Sequence, residues 1–322
     1  MTALDGRRAA VRIAVVGAGG VGGYFGARLA AAGGPGETVL VARGRHLEAI
    51  RARGLRVRSP LGDVTVPSEA VVATPREVGH ADLVIVAVKL WDTEEAARQV
   101  LPLAEAGAAV LSLQNGVDKD DVMRRVLPPR SLLGGVSYIS AAIGEPGVVE
   151  HHAPLQKLVF GEFDGSASKR VSELLQRCLD AGIDAAAHPD IERVIWEKFV
   201  FLVGLSAATA AVRQPIGVVR SDPGARSLLH DVMREAAEVG RARGVDLDPG
   251  FADERLAFCD SLPAAMTASM YRDLVQGNRL ELPWLSGAVA RLGREAGVPV
   301  PRNKAVADIL SPYVAGAPAP VE

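Results

Sequence analysis

The chain has 322 residues, 48% of them hydrophobic and 23% charged, with a formal net charge of −2. That is enough for two domains, each with its own core. The near-neutral balance argues against a general nucleic-acid binder, which carries a basic excess, and an aromatic content of 4% argues against a base-stacking platform.

Cys178 and Cys259 lie outside any CxxC pair and have apolar neighbours. They read as small core residues of a protein in a reducing compartment. The histidines form no zinc spacing, and the adjacent His151 and His152 would point to opposite faces of a strand, so no metal is expected. Residues Met1–Ala10 lack the apolar core of a signal peptide. The most apolar stretch, Phe199–Val212, is interrupted by Gly204, Ser206 and Thr209 and is shorter than the ~20 residues that span a bilayer. A cytoplasmic protein with no membrane partner is expected.

Along the chain, Val11–Val16 is a continuous apolar run, as in a parallel strand buried on both faces. A helix rich in small residues follows at Tyr24–Ala32, then a strand at Thr38–Ala42. Leu83–Val88 is a third strand, Thr93–Leu101 a helix and Ala109–Leu113 a fourth strand. This alternation predicts a doubly wound sheet covered by helices. Leu132–Ile143, Gly147–His152 and Leu158–Phe160 read as further strands, antiparallel additions at one edge, and Ser166–Ala181 as a helix. Near His188–Asp190 the pattern changes. Ile191–Ala211, Arg226–Arg243, Phe251–Cys259, Met270–Val275, Leu285–Ala296 and Asn303–Leu310 all read as helices, punctuated by Pro and Gly. The expected fold is an α/β Rossmann-like dinucleotide-binding domain over residues 1–188 followed by an all-α domain over 189–322, with a frayed tail from Ala315. The helical domain is a candidate surface for a homodimer.

Gly17-Ala18-Gly19-Gly20-Val21-Gly22 fits G-x-G-x-x-G between a buried strand and a helix, the context in which the pattern is informative. Gly17 allows the tight turn, Gly19 lets the backbone approach a pyrophosphate, and Gly22 lets helix and strand pack closely. The helix N-terminus then offers unpaired N–H groups to the phosphates. The alternative is a glycine-rich turn without a ligand. An NAD site usually carries a carboxylate at the end of the second strand. Here Arg43 follows that strand and no carboxylate comes until Glu48, so NADPH is the expected cofactor, its 2′-phosphate held by Arg43; the alternative is a solvated loop charge.

Taken in order, the glycine loop with Gly23-Tyr24-Phe25-Gly26, Val88-Lys89, Gln114-Asn115-Gly116-Val117, Trp196-Glu197-Lys198, Ser269-Met270-Tyr271-Arg272-Asp273 and Glu281 resemble the ketopantoate reductases (2-dehydropantoate 2-reductases). On a helix, Lys198 shares a face with Ile191, Val194, Ile195, Phe201, Leu202 and Leu205, one charge on an apolar stripe. Glu197 points elsewhere. The lysine either extends its stem to the surface or, desolvated, exchanges protons readily, as ketone reduction requires. The resemblance implies the second, with Lys198 as general acid.

Lys89 and Asn115 each follow a strand's carboxyl end, where ligands of open parallel sheets sit. A solvated lysine and an Asn-Gly turn are the alternatives. The resemblance puts Lys89 near cofactor and substrate, and Asn115 by the nicotinamide or the substrate carbonyl. Ser269 otherwise reads as a helical hydroxyl and Glu281 as a helix-start carboxylate. The resemblance implies that Ser269 meets the substrate carboxylate and Glu281 the substrate hydroxyl. It also implies an NADPH-dependent reduction of a small 2-oxo acid, 2-dehydropantoate first, in a cleft between two domains. Where the family usually carries asparagines one and two turns after the lysine, this chain has Leu202 and Ser206, which opens the identity of the 2-oxo acid. A non-catalytic NADPH-binding regulator is the remaining alternative.

Overall fold

The structure is a computed structural model that describes residues 11–318. The readings on residues 1–10 and on the last four residues lie outside the described residues. By its contacts the chain forms two compact units. One holds the chain up to Gln114 together with Lys119–Ile191; the other holds Asn115–Asp118 and the chain from Glu192 onward.

The first unit contains β1 (Ile13–Val16), α1 (Gly20–Ala32), β2 (Thr38–Val41), α2 (Gly44–Arg53), β3 (Leu55–Arg58), β4 (Val64–Val66), β5 (Val71–Val72), β6 (Leu83–Val86), α3 (Thr93–Glu105), β7 (Ala109–Ser112), α4 (Lys119–Arg124), β8 (Leu132–Glu145), β9 (Val148–Gly161), α5 (Lys169–Asp180) and β10 (Asp184–Ala187). All ten strands join one sheet, in the order β4-β3-β9-β8-β7-β6-β1-β2-β5 with β10 beside β9. From β5 to β8 every pairing is parallel. Every residue of β1, β2, β6 and β7 is buried, which is why these strands read as unbroken apolar runs. The sequence order reverses at β1, between β2 and β6, the place where open α/β sheets hold ligands.

Three features depart from the sequence reading. The short strands β3, β4, β5 and β10 went unread, because two to four residues are too few to display a period, as did the helix α2, with only Leu47 and Ile50 buried, and the six-residue helices that begin at Lys119 and Ile216. Gly147–His152 and Leu158–Phe160 are parts of a single 14-residue strand, β9. It pairs antiparallel with β8 through two irregularities of register, and the hairpin lies inside the sheet rather than at its edge, since β3 and β4 continue beyond it.

The second unit is helical: α6 (Ile191–Val212), α7 (Ile216–Ser221), α8 (Pro223–Ala242), α9 (Phe251–Ser261), α10 (Ser269–Val275), α11 (Ser286–Ala296) and α12 (Pro301–Leu310). Asp222 caps α8 by accepting from the Ala225 amide at 2.8 Å, with Pro223 at the first helical position, a favoured pairing of cap and proline. Glu235 of α8, buried, accepts from the amides of Arg302 and Asn303 at 2.8 and 2.9 Å and so caps α12. The apolar stretch from Phe199 proves part of a longer helix: α6 has 22 residues and is, among those described, the one long and apolar enough to cross a membrane, with 72% of its most apolar window buried inside the protein. Val200, Val203, Ala207 and Ala208 of α6 are core residues of the helical unit. The tail is tied down further than expected, by Leu280 N–H to Val314 O at 3.0 Å and Ala317 N–H to Gly277 O at 3.1 Å.

Candidate active site

The loop between β1 and α1 has the geometry its glycines imply. Gly17 sits at φ +100°, and a Cβ at Gly22 would fall 2.2 Å from the Gly17 carbonyl oxygen. The amides of Gly17 and Ala18 donate to Val41 O at 3.1 and 2.9 Å. Gly19 caps α1 without a side chain, the first turn holds no acid, and a Cβ at Gly19 would meet nothing within 4 Å. The opening amides of α1, from Gly20 through Val21 and Gly22, therefore belong to a helix start with no side-chain cap, open beside Gly19 and closed beside Gly20 by the Ala141 backbone, whose oxygen would lie 2.3 Å from a Cβ there. That fits a pyrophosphate.

His46, on α2, braces this loop. Its Nδ1 accepts from the Gly147 amide at 3.0 Å, so the proton is on Nε2, which donates to Ala18 O at 2.9 Å. Burial lowers its pKa against the opposing effect of the Ala18 bond. His46 has no role in the sequence reading, because nothing local shows that the ring reaches back to residue 18.

Arg43 stands between β2 and α2 with its side chain 78% exposed, where a 2′-phosphate reader is expected, and it is ion-paired with Asp92. This corrects the reading that no carboxylate competes there before Glu48. The carboxylate comes from the turn Leu90–Asp92 after β6, which the parallel sheet brings beside the end of β2.

Lys89 precedes that turn, exposed, with its ammonium 5.6 Å from the Trp91 ring centre. Its backbone is held by Gln114, a buried residue that sequence reasoning left without a role. The Gln114 amide nitrogen donates to Thr93 Oγ1 at 2.8 Å and to Lys89 O at 3.3 Å, while its oxygen accepts from Ser112 Oγ at 3.1 Å. One buried amide thus joins the ends of β6 and β7, the two strands that deliver Lys89 and Asn115.

Within the helical unit, Lys198 Nζ donates to Asn115 Oδ1 at 3.0 Å. This brings together two residues 83 positions apart. Lys198 is half-buried rather than fixed on a wholly buried stripe: Ile191, Val194, Ile195 and Leu205 are buried, but Phe201 and Leu202 are only partly so. Glu197 pairs with Arg193 at 2.8 Å, in keeping with its exclusion as the lysine's partner. The segment after β7 thus gives Lys198 polar support, through Asn115. Ser206 is fully buried, and its hydroxyl has no partner among the described residues. Ser269 is the first residue of α10, half-buried. Glu281 is buried at the start of the turn Leu282–Trp284 that leads into α11.

Two family descriptions cover the chain in order: "Ketopantoate reductase PanE/ApbA" matches residues 13–165 and "Ketopantoate reductase PanE/ApbA C terminal" matches residues 190–314. A 2-dehydropantoate 2-reductase of Halobacterium salinarum is 33% identical over 93% of this chain and 98% of its own length. The crystal structure of 2-dehydropantoate 2-reductase from Geobacter metallireducens superposes with a TM-score of 0.86 at 31% identity, covering 94% of this chain and 99% of that one. A D-mandelate dehydrogenase solved with NADH and anilino(oxo)acetate shares the fold, with a TM-score of 0.85 at 21% identity over 94% of this chain and 98% of its own. With the glycine loop at the sheet's reversal point and Lys198 bonded to Asn115, these matches place the chain in the ketopantoate reductase family of oxidoreductases.

Proposed function

We propose that the protein reduces 2-dehydropantoate to pantoate with NADPH, a step toward pantothenate and coenzyme A. The observation that carries this reading is the Lys198–Asn115 hydrogen bond at 3.0 Å, on a chain of this family. NADPH supplies the hydride that adds to the 2-oxo carbon. Lys198 Nζ holds the proton that the ketone oxygen takes as it becomes a hydroxyl. Asn115 Oδ1 accepts one of the three ammonium protons and so fixes the direction of the others. Glu281 accepts from the substrate hydroxyl and Ser269 donates to its carboxylate. Gly17 to Gly22 bind the pyrophosphate, Lys89 lies by the cofactor, and Arg43 reads the 2′-phosphate. Asp92 shares that guanidinium, so the preference for NADPH depends on how far the phosphate displaces the carboxylate.

A second reading keeps the chemistry and changes the acid. Leu202 is a partly exposed apolar side chain one turn beyond Lys198, and Ser206 is wholly buried. Leu202 offers no group to read the hydroxyl of 2-dehydropantoate and the Ser206 hydroxyl is shorter than an asparagine amide, which favours a small 2-oxo acid with an apolar side chain. Loss of NADPH absorbance over a panel of 2-oxo acids distinguishes the two. Turnover of 2-dehydropantoate supports the first, turnover of apolar acids alone supports the second, and turnover of none rejects both. Lys198→Ala is expected to lower kcat by ~10²–10⁴ on the accepted acid.

A further inference from the structure

The four residues Asn115–Asp118 pack with the helical unit, while their neighbours on both sides belong to the sheet unit. A segment that leaves one unit for four residues and returns needs its own anchors. Gly116, at φ +81°, offers none and leaves the backbone free to turn. Val117 packs on the helical core. Asp118 makes an ion pair with Arg291 of α11.

That pair is more than a surface contact. The Asp118 side chain is only 15% exposed, and a partly buried charge pair is screened less than an exposed one. Arg291 keeps a second partner on its own helix, Glu295 at 3.1 Å, so its guanidinium is held in place while another nitrogen reaches Asp118. The helix that carries Arg291 begins five residues after Glu281, directly behind the turn Leu282–Trp284. One helix therefore grips the segment bearing Asn115 and also follows on from the residue read as holding the substrate hydroxyl.

We infer that Asp118 and Arg291 are positioning residues: their ion pair holds the segment so that Asn115 Oδ1 stays in hydrogen-bond range of Lys198 Nζ. The inference rests on the proposed roles of Asn115 and Lys198. Without the pair, only Val117 and the Asn115 bond tie the segment to the helical unit, across a glycine, between the anchored Gln114 and the buried Lys119–Asp120 pair. Proton transfer is sensitive to displacements of about 1 Å, which can cost on the order of 10²-fold.

The test is steady-state reduction of 2-dehydropantoate by the full-length protein carrying Asp118→Asn, Asp118→Glu, Arg291→Gln, Asn115→Ala and the double variant Asn115→Ala/Asp118→Asn. Thermal melting of each variant provides the check on folding. Asp118→Asn and Arg291→Gln should each lower kcat by about tenfold with KM for NADPH unchanged. Asp118→Glu should restore most of the loss. In the Asn115→Ala background, Asp118→Asn should cost nothing further, because its effect passes through Asn115. An equal loss with and without Asn115 would show a merely structural pair and overturn the inference, as would wild-type kcat in both single variants. If Asn115→Ala and Lys198→Ala are themselves fully active, the proposed roles fall first, and the inference with them.

Discussion

Replacing Gly19 by alanine should separate cofactor binding from folding. The backbone at Gly19 has φ −76° and ψ −156°, an extended conformation open to any residue. The added methyl would meet nothing within 4 Å. Fewer unfolded conformations favour the variant by about 0.4–1 kcal/mol, and alanine's weakness as a helix cap offsets this by a similar amount. The melting temperature of the cofactor-free protein should therefore stay within about 2 °C. On the proposed assignment, the methyl instead occupies the space through which the pyrophosphate would approach the amides of α1. Overpacking of that kind costs about 1–3 kcal/mol, or about 5- to 150-fold in Kd. Gly22→Ala is the contrast: its methyl would lie 2.2 Å from the Gly17 carbonyl, so it should destabilise the cofactor-free protein as well. Fluorescence titration with NADPH, beside thermal melting without it, reads both quantities. Unaltered NADPH affinity in Gly19→Ala would refute the assignment of that open space to the pyrophosphate.

Arg43→Ala should weaken NADPH by about 10- to 100-fold, the loss of one charge-assisted contact of about 1.5–3 kcal/mol, and leave NADH nearly unchanged; equal weakening of both cofactors would show that Arg43 does not read the 2′-phosphate. Asp92→Asn should act in the opposite sense and tighten NADPH, because it frees the guanidinium. His46 has a pKa lowered from 6.5 by burial, so the unfolded chain takes up its proton first as pH falls. The stabilisation is thus complete above about pH 6.5 and is lost below it. His46→Gln should flatten the decline in melting temperature between about pH 7 and 5, leaving the part due to His151, which shifts the same way; a decline as steep as the wild type's would exclude His46 as its source. Glu235→Ala removes the acceptor for two amides and for Asn303 Nδ2 at 2.8 Å, and should destabilise the helical unit by about 2–4 kcal/mol in urea unfolding; a loss under about 1 kcal/mol would mean that water replaces the carboxylate.

Features whose signal lies within a few residues were legible before the structure. β1, β6 and β7 are fully buried strands and read as such, because burial on both faces demands an unbroken apolar run. The glycine loop was readable because tight turn, close approach and helix start fall within six residues. The change from strands to helices near His188 showed in the switch of period. Asn115 and Lys198 entered through the family resemblance, and their positions at a strand end and on an apolar helix were consistent with it.

What remained hidden was pairing across long stretches of chain. Nothing near Arg43 announces Asp92, which arrives only because β6 lies one strand from β2 across β1. Nothing near Lys198 announces its bond to Asn115, 83 positions away. His46 closing on Ala18, Gln114 joining two strand ends and Asp118 meeting Arg291 are all contacts between residues far apart in sequence. Where the chain buries strands, turns on glycine and forms helices could be read from the residues alone, because those follow from local sterics and apolar periodicity. Which charge faces which emerged with the folded chain, because a side chain's partner is set by the packing of whole elements and leaves no mark in its own neighbourhood.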